Sequence, residues 1–581
     1  MTFAVWKPKY DIRQGDDPTV RAEAERPVVA YLPNGGYVVA WSEGDNQLKL
    51  KIYNGAGDTN GTVYSVDAAS ARGMNIDIQP IGTNGNFAVG WNSGTTGSAT
   101  LKVRVFTHNN DGTYTGGTIT DVQSNTTGSS EIPSLSARTG GGFTSTYTNG
   151  SNVFLRLHEA DGSTSRTVQM LDENASSIDY PRATEIAPNK FVVSYGMGDN
   201  IFAQIVTING NTISKQSLGH AQTGLGSGDK SQVVALKDAD GNADGRFAVV
   251  QYRNQNLVAK FYDQNGARIG DVNNEVVIAT NVWPFENFFD VTAIRGGRIA
   301  VTYSELSQSI ALKVLDIQGS SGNPNNDPLI VGPIGHRQPT ISEMADGRLA
   351  VAYEDWTSGN FIDTTGVIVD PRLAKVKVEG TAQKDYYVGS EHDGDELRGN
   401  GGNDTLIGGK GGDHLNGGKD ADRLDGGDGQ DTASYWDADA AVGVYLHGQR
   451  ANTGDAAGDT YTRIEVIAGS AHDDTIEGAV GNDIFFGAGG DDMLRGFGGD
   501  DALSGAEGSD TLYGGLGADT FDGGFDDDRD VVTYEFSTTG GVVADLSTPS
   551  RNAGEAAGDT YNGTIDDLVG TNWGRCSHRV G

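Results

Sequence analysis

One aspartate returns at every ninth position through the last third of the chain. Across Gly399–Thr432, GNGGNDTLIGGKGGDHLNGGKDADRLDGGDGQDT, it stands at Asp404, Asp413, Asp422 and Asp431, with Asp395 nine residues earlier. A second run holds Asp474, Asp483, Asp492, Asp501, Asp510, Asp519 and Asp528. No basic residue recurs in register with them, so like charge is concentrated at fixed spacing. Carboxylates are hard oxygen donors, and an ordered series of them suits a hard divalent cation.

The residues around each aspartate say how it must be positioned. Each unit approximates G-G-x-G-x-D-x-(apolar)-x. The apolar place is held by Leu397, Leu406, Leu415 and Leu424, then by Ile476, Phe485, Leu494, Leu503, Leu512 and Phe521. The glycines in register are Gly399, Gly401, Gly408, Gly411, Gly417, Gly426, Gly481, Gly487, Gly490, Gly496, Gly499, Gly508 and Gly517. Six residues of glycine-rich turn and three of strand make half a coil of parallel β-helix, so turns 18 residues apart stack at about 4.8 Å. Turn carbonyls and carboxylates from stacked turns then supply six or so hard oxygens, a set for Ca²⁺ rather than zinc. A flexible glycine linker has no reason to hold such a register.

This pattern resembles the RTX (repeats-in-toxin) haemolysin-type calcium-binding proteins over roughly residues 385–570. The resemblance implies several bound Ca²⁺ ions and an extracellular location. It also implies export, unfolded, by a type I secretion machinery that reads a C-terminal signal. Magnitudes agree with a calcium switch. Like charges about 5 Å apart repel by roughly 3 kcal/mol at an effective dielectric near 20. One buried apolar side chain per repeat returns only about 1.5–3 kcal/mol. Ordering nine backbones costs on the order of 9–18 kcal/mol. Each ion at about ten times its dissociation constant contributes about 1.4 kcal/mol, so many sites must act together.

Between and after the two runs lies a second, longer repeat. Ala433–Ser470 corresponds to Val532–Thr571, sharing GD(A/E)AAGDTY with Asp459 and Asp559. The tail NWGRCSHRVG, holding Cys576 and His578, resembles nothing before it and reads as a truncation or a shifted frame.

The first 375 residues repeat a different phrase seven times: NGGYVVAW to Trp41, NGNFAVGW to Trp91, GGGFTSTY to Tyr147, PNKFVVSY to Tyr195, DGRFAVVQY to Tyr252, GGRIAVTY to Tyr303 and DGRLAVAY to Tyr353. Apolar residues alternate within each phrase, which is strand periodicity, and the preceding glycine-rich pair makes a hairpin turn. Three or four strands per unit of about 50 residues predict an all-β, seven-bladed β-propeller ahead of the RTX parallel β-helix (β-roll). A strand near Phe3–Tyr10 is expected to close the ring, and the strand-end aromatics to pack between blades. The expected organisation is propeller 1–375, linker 376–384, first block 385–435, connector 436–468, second block 469–531, and a second connector 532–581.

The residues after those aromatics share one face of the propeller, where ligand contacts usually sit. They nominate Glu43, Asn92, Asn149, Asn254, Glu305, Glu354 and Asp355 as ligand-binding residues. No HExxH, GxSxG, P-loop or dinucleotide motif is present, and catalytic residues remain unassigned. The formal charge of −36 gathers in the last 200 residues, about 39 acidic against about 12 basic, which repels nucleic acid. No apolar run is long enough to span a membrane, no N-terminal secretory signal is visible, and one cysteine makes no disulfide framework. The reading is a secreted calcium-binding protein whose propeller binds a glycan or cell-surface polymer. The alternative is an exported polysaccharide lyase or hydrolase with its site on the propeller face.

Overall fold

The computed structural model describes residues 4–11 and most of 24–571. The segments outside the description fall chiefly in the first 372 residues, among them 12–23, 68–75, 171–177, 223–230, 316–327 and 356–362, together with 572–581, where Cys576 and His578 lie. The chain divides into two units, Met1–Arg372 and Leu373–Gly581.

The first unit is a seven-bladed propeller. Blade 1 runs Ala24–Tyr31, Tyr37–Glu43, Gln47–Tyr53 and Thr59–Asp67, each strand antiparallel to the last. Its first hairpin turns at Gly35, where a φ of 80° suits glycine, and Gly35 N–H donates to Leu32 O at 3.1 Å. The D-G-R phrases clasp themselves at the same place. Arg348 Nε and Nη2 donate to Asp346 Oδ2 at 2.9 and 2.6 Å, with both side chains fully buried. Blade 7 takes its outermost strand from the other end of the unit, since Ala4–Asp11 pairs antiparallel with Asp363–Asp370.

Aromatics at the ends of the second strands fill the spaces between blades. Trp41 packs with Met344, Ala350 and Ile368 of blade 7, while Trp91 joins Leu48, Leu50 and Val66 of blade 1. Tyr353 Oη donates to Val331 O of blade 6 at 3.0 Å. The first strands of all seven blades surround an axial cavity of about 390 Å³.

The second unit is a parallel β-solenoid. Short strands alternate between two faces and pair every 18 residues, Leu397 with Leu415 on one face and Leu406 with Leu424 on the other. One face is a continuous nine-stranded sheet from Lys377–Glu379 to Thr560–Asn562. The opposite face is interrupted by the first connector, giving sheets of four and six strands. The apolar residue of each repeat points inward, and Leu397, Leu406, Leu415, Leu424, Leu494 and Leu512 are all 0 % exposed. Residues 376–384, expected as a linker, carry the first solenoid strand, with Val378 buried beneath Leu397. Among the described residues no helix is long and apolar enough to cross a membrane.

Candidate metal centre

The ladder aspartates point into the turns and are buried: Asp395, Asp413, Asp431, Asp510 and Asp519 are 0 % exposed. Each is fixed by its neighbour one coil on. The N–H of Asp404 donates to Asp422 Oδ1 at 2.7 Å, that of Asp413 to Asp431 Oδ1 at 2.8 Å, and that of Asp492 to Asp510 Oδ1 at 2.8 Å. One carboxylate oxygen is thereby spent on the backbone. The other is not. Oδ2 of Asp404, Asp413, Asp422, Asp431, Asp492, Asp501 and Asp519 is buried with no hydrogen-bond partner among the described residues. A buried acceptor left so costs free energy until a proton or cation arrives.

The turn glycine five residues before each aspartate shows what faces that oxygen. A Cβ on Gly399 would strike both Asp404 Oδ2 and Gly417 O, and one on Gly408 both Asp413 Oδ2 and Gly426 O. Gly487 stands likewise against Asp492 Oδ2 and Gly505 O. Carboxylate and carbonyl oxygens thus crowd together with no hydrogen between them, an arrangement a hard cation relieves. Among the described residues no three Asp, Glu, His or Cys side chains converge on one point, so a centre here must draw on turn carbonyls. The donor set fits calcium.

Burial is the largest influence on these carboxyls. It pushes Asp404 up to about 9, with the Asp385 and Asp422 charges adding to it against the Asp385 N–H bond. Asp413 and Asp422 rise to about 7 and Asp492 to about 8, again chiefly through burial. Desolvation, more than mutual repulsion, is what the metal-free array must overcome.

The register departs from a strict count of nine at both ends of the blocks. Asp385, not anticipated, begins a row, its N–H donating to Asp404 Oδ1 at 2.7 Å. Asp528 is exposed, and Asp530 takes the place expected of it: Asp510 N–H donates to Asp530 Oδ1 at 3.0 Å. Two extra residues in FDDDRD cause the shift, because Val532 must pair with Leu512 and each ladder aspartate stands two before such a residue. Gly380, which precedes Asp385 by the usual five, is the signal that could have revealed it.

The connectors end the rows with groups of their own. Asp422 N–H donates to Asp459 Oδ1 at 2.8 Å and Asp519 N–H to Asp559 Oδ1 at 3.0 Å. Asp431 N–H meets Glu465 Oε2 at 2.9 Å instead. Here Oδ2 is satisfied by a phenol, Tyr435 Oη donating to Asp459 and Tyr534 Oη to Asp559, each at 2.6 Å. A second, exposed ladder lies outside, where Asp491 N–H donates to Asp473 Oδ1 and Asp500 N–H to Asn482 Oδ1.

The propeller candidates behave differently from the ladder. Asn92 and Glu305 are half-buried at the ends of second strands, and Glu305 Oε2 accepts from Ser309 Oγ at 2.6 Å and Ser307 Oγ at 3.2 Å within its own turn. Glu354, expected on the rim, is 2 % exposed because it lies within the central strand of its blade, paired with Arg337 and Thr364. Asn149 and Asn254, and the side chains of Glu43 and Asp355, fall outside the described residues. None of Asn92, Glu305 and Glu354 lines the axial cavity, whose polar lining includes Asp77, Arg182, Glu185, Lys237, Asp290 and Glu343. Ser145 Oγ lies 2.9 Å from His158 Nε2, but both are 0 % exposed, which bars that pair from a substrate.

The RTX calcium-binding nonapeptide repeat family (4 copies) matches at residues 398–433, 459–494 and 495–530. No curated protein matches the chain. Among solved structures, the NanB sialidase of Streptococcus pneumoniae is 11 % identical, covering 62 % of this chain and 70 % of its own, with a TM-score of 0.36. AofleA from Arthrobotrys oligospora is 8 % identical over 56 % of this chain and 91 % of its own, at 0.33. A protein of unknown function from Dyadobacter fermentans is 10 % identical over 63 % and 98 %, at 0.36. Likeness at these scores carries no argument about function.

Proposed function

We propose that this chain, which carries RTX calcium-binding nonapeptide repeats behind a seven-bladed propeller, is an extracellular protein folded by calcium, whose propeller binds a glycan or other surface polymer. The orphaned Oδ2 atoms of Asp404, Asp413, Asp422, Asp431, Asp492, Asp501 and Asp519 carry the reading, which the shared repeat register extends to the rest of each row. Asp395, Asp404, Asp413, Asp422 and Asp431 in the first block, and Asp474, Asp483, Asp492, Asp501, Asp510, Asp519 and Asp530 in the second, would hold Ca²⁺ together with carbonyls of the stacked glycine turns. Bound calcium supplies positive charge between oxygens that otherwise face one another.

Calcium-poor cytosol then leaves the solenoid unfolded and fit for a type I exporter, and calcium outside the cell closes it. On the propeller, Asn92 and Glu305, half-buried at the ends of second strands, would contribute to polymer contact. No observation favours the degrading-enzyme alternative over binding. The test is a calcium titration of the chelator-treated full chain, followed by far-ultraviolet circular dichroism. β-Structure is expected to appear cooperatively. Asp404→Asn, Asp413→Asn and Asp422→Asn combined should raise the calcium midpoint several-fold, and an unchanged titration would refute the assignment.

A further inference from the structure

The outer face of the nine-stranded sheet holds a groove of about 490 Å³ that the calcium ladder does not use. Its floor crosses five strands, from Glu396–Arg398 to Ile484–Gly489. At about 4.8 Å per strand that is roughly 20 Å, room for an oligomer rather than a single small molecule. Trp436, the first residue of the connector, forms part of the wall and is 55 % exposed, and Phe486 is 46 % exposed. Large apolar side chains so uncovered beside a groove mark a surface that something else covers.

Trp436 is held in place. The Arg398 guanidinium lies 4.8 Å from its ring, and Asn416 Nδ2 donates to Asp437 Oδ1 at 2.6 Å, pinning the next residue. Arg398 is itself balanced by Glu396 at 2.9 Å, which also meets Lys377 at 3.2 Å. The remaining polar lining is Lys375, exposed, with His414, Asn416, Thr432 and Ser434: one ammonium beside imidazole, amide and hydroxyl groups. Beyond the Arg398–Glu396 pair the groove thus holds a single charge, Lys375, within a strongly acidic unit. An anionic polymer is repelled by its surroundings, and a free cation finds better donors in the ladder. A neutral sugar chain matches what is left, with apolar ring faces for the aromatics and hydroxyls for the polar groups.

We propose that this groove binds a neutral polysaccharide, with Trp436 and Phe486 as stacking platforms. At the second connector Glu535 stands where the first has Trp436, and the neighbouring Phe536 takes the smaller ring to Arg495, at 4.3 Å. The groove rests on the calcium reading in one respect: its strands come together only in the folded solenoid, so binding requires calcium.

The test uses the full chain in calcium, titrated with cello-, malto-, laminari-, xylo- and mannohexaose and with oligogalacturonate as the anionic control. Heat of binding and tryptophan emission are recorded. At least one neutral hexaose should bind. Trp436→Ala and, separately, Phe486→Ser should each weaken it tenfold or more while calcium-induced circular dichroism stays as in the parent. Absence of neutral binding, preference for oligogalacturonate, or affinity indifferent to both substitutions would overturn the site. Failure of calcium to induce β-structure sinks the calcium reading separately. Hexaose binding in chelator that is still lost in Trp436→Ala would uphold the groove and remove only its calcium dependence.

Discussion

A carboxylate with one oxygen on a backbone N–H and the other against a carbonyl is a poor structural residue and a good metal ligand. That distinction separates Asp404 or Asp492 from Asp77 and Asp290 in the propeller. Asp77 accepts from Leu135 N at 2.7 Å and Ile78 N at 2.9 Å, tying blade 2 to blade 3, and Asp290 Oδ2 accepts from Ile341 N and Thr340 Oγ1 of blade 7. Burial lifts the Asp77 carboxyl to about 7, opposed chiefly by Arg182. The folded propeller thus keeps this proton at pH values where the unfolded chain has lost it. The stability so contributed is complete below about pH 4 and is lost as pH rises through about 7. Asp77→Asn is expected to flatten the fall in propeller melting temperature between pH 5 and 8, measured by tryptophan emission in saturating calcium; a parallel slope would discard the assignment. Counting nines was enough to find Asp395 to Asp431 and Asp474 to Asp519. It selected Asp528 over Asp530 because a count along the chain takes no account of which apolar residue must stack.

Glycine serves two ends within one turn. Gly399 is required because a Cβ would enter the space shared by Asp404 Oδ2 and Gly417 O, whereas Gly402, at φ 101°, is required by backbone conformation. The second block breaks the conformational rule at Ala488, Phe497 and Ala506, with φ of 84°, 73° and 82°. Left-handed backbone at a non-glycine residue costs about 1–2 kcal/mol, partly regained through lower chain entropy. Ala506→Gly should therefore stabilise the calcium-loaded solenoid by up to about 1 kcal/mol in urea unfolding, and Gly399→Ala should destabilise it; equal signs would reject the two-cause account. The connectors offer a matched pair. Tyr435→Phe removes the hydroxyl that satisfies Asp459, and Tyr534→Phe does the same at Asp559. Each should cost about 1–3 kcal/mol in the same assay, the price of an unsatisfied buried carboxylate. The connector repeat was legible as a duplication, but its capping of the ladder was not, because the partners stand 37 and 40 residues apart.

The two units depend on different forces, so the whole molecule should come apart in two stages. Interlocked blades bury Trp41, Trp91, Phe87 and Phe143 almost completely, and the ring is closed by a strand from the beginning of the unit. The solenoid has about one inward apolar residue per nine and a row of desolvated carboxylates, and its stability rises with calcium by mass action. Calorimetry of the full chain in calcium should show two transitions. Chelator should abolish one and leave the other unmoved, whereas simultaneous loss of both would contradict this separation.

The chain's periodicities by themselves determined the seven-bladed propeller, the parallel solenoid and the calcium-binding character of the tail. A period is a local property: nine residues of turn and strand, or fifty of four strands, repeat because each unit solves the same backbone problem. Only the tertiary structure decided that Asp530 rather than Asp528 joins the ladder, that tyrosines end it, that Glu354 is buried, and that Trp436 and Phe486 share a groove. Those outcomes depend on which atoms meet across coils and blades, and contacts between distant residues leave no period behind.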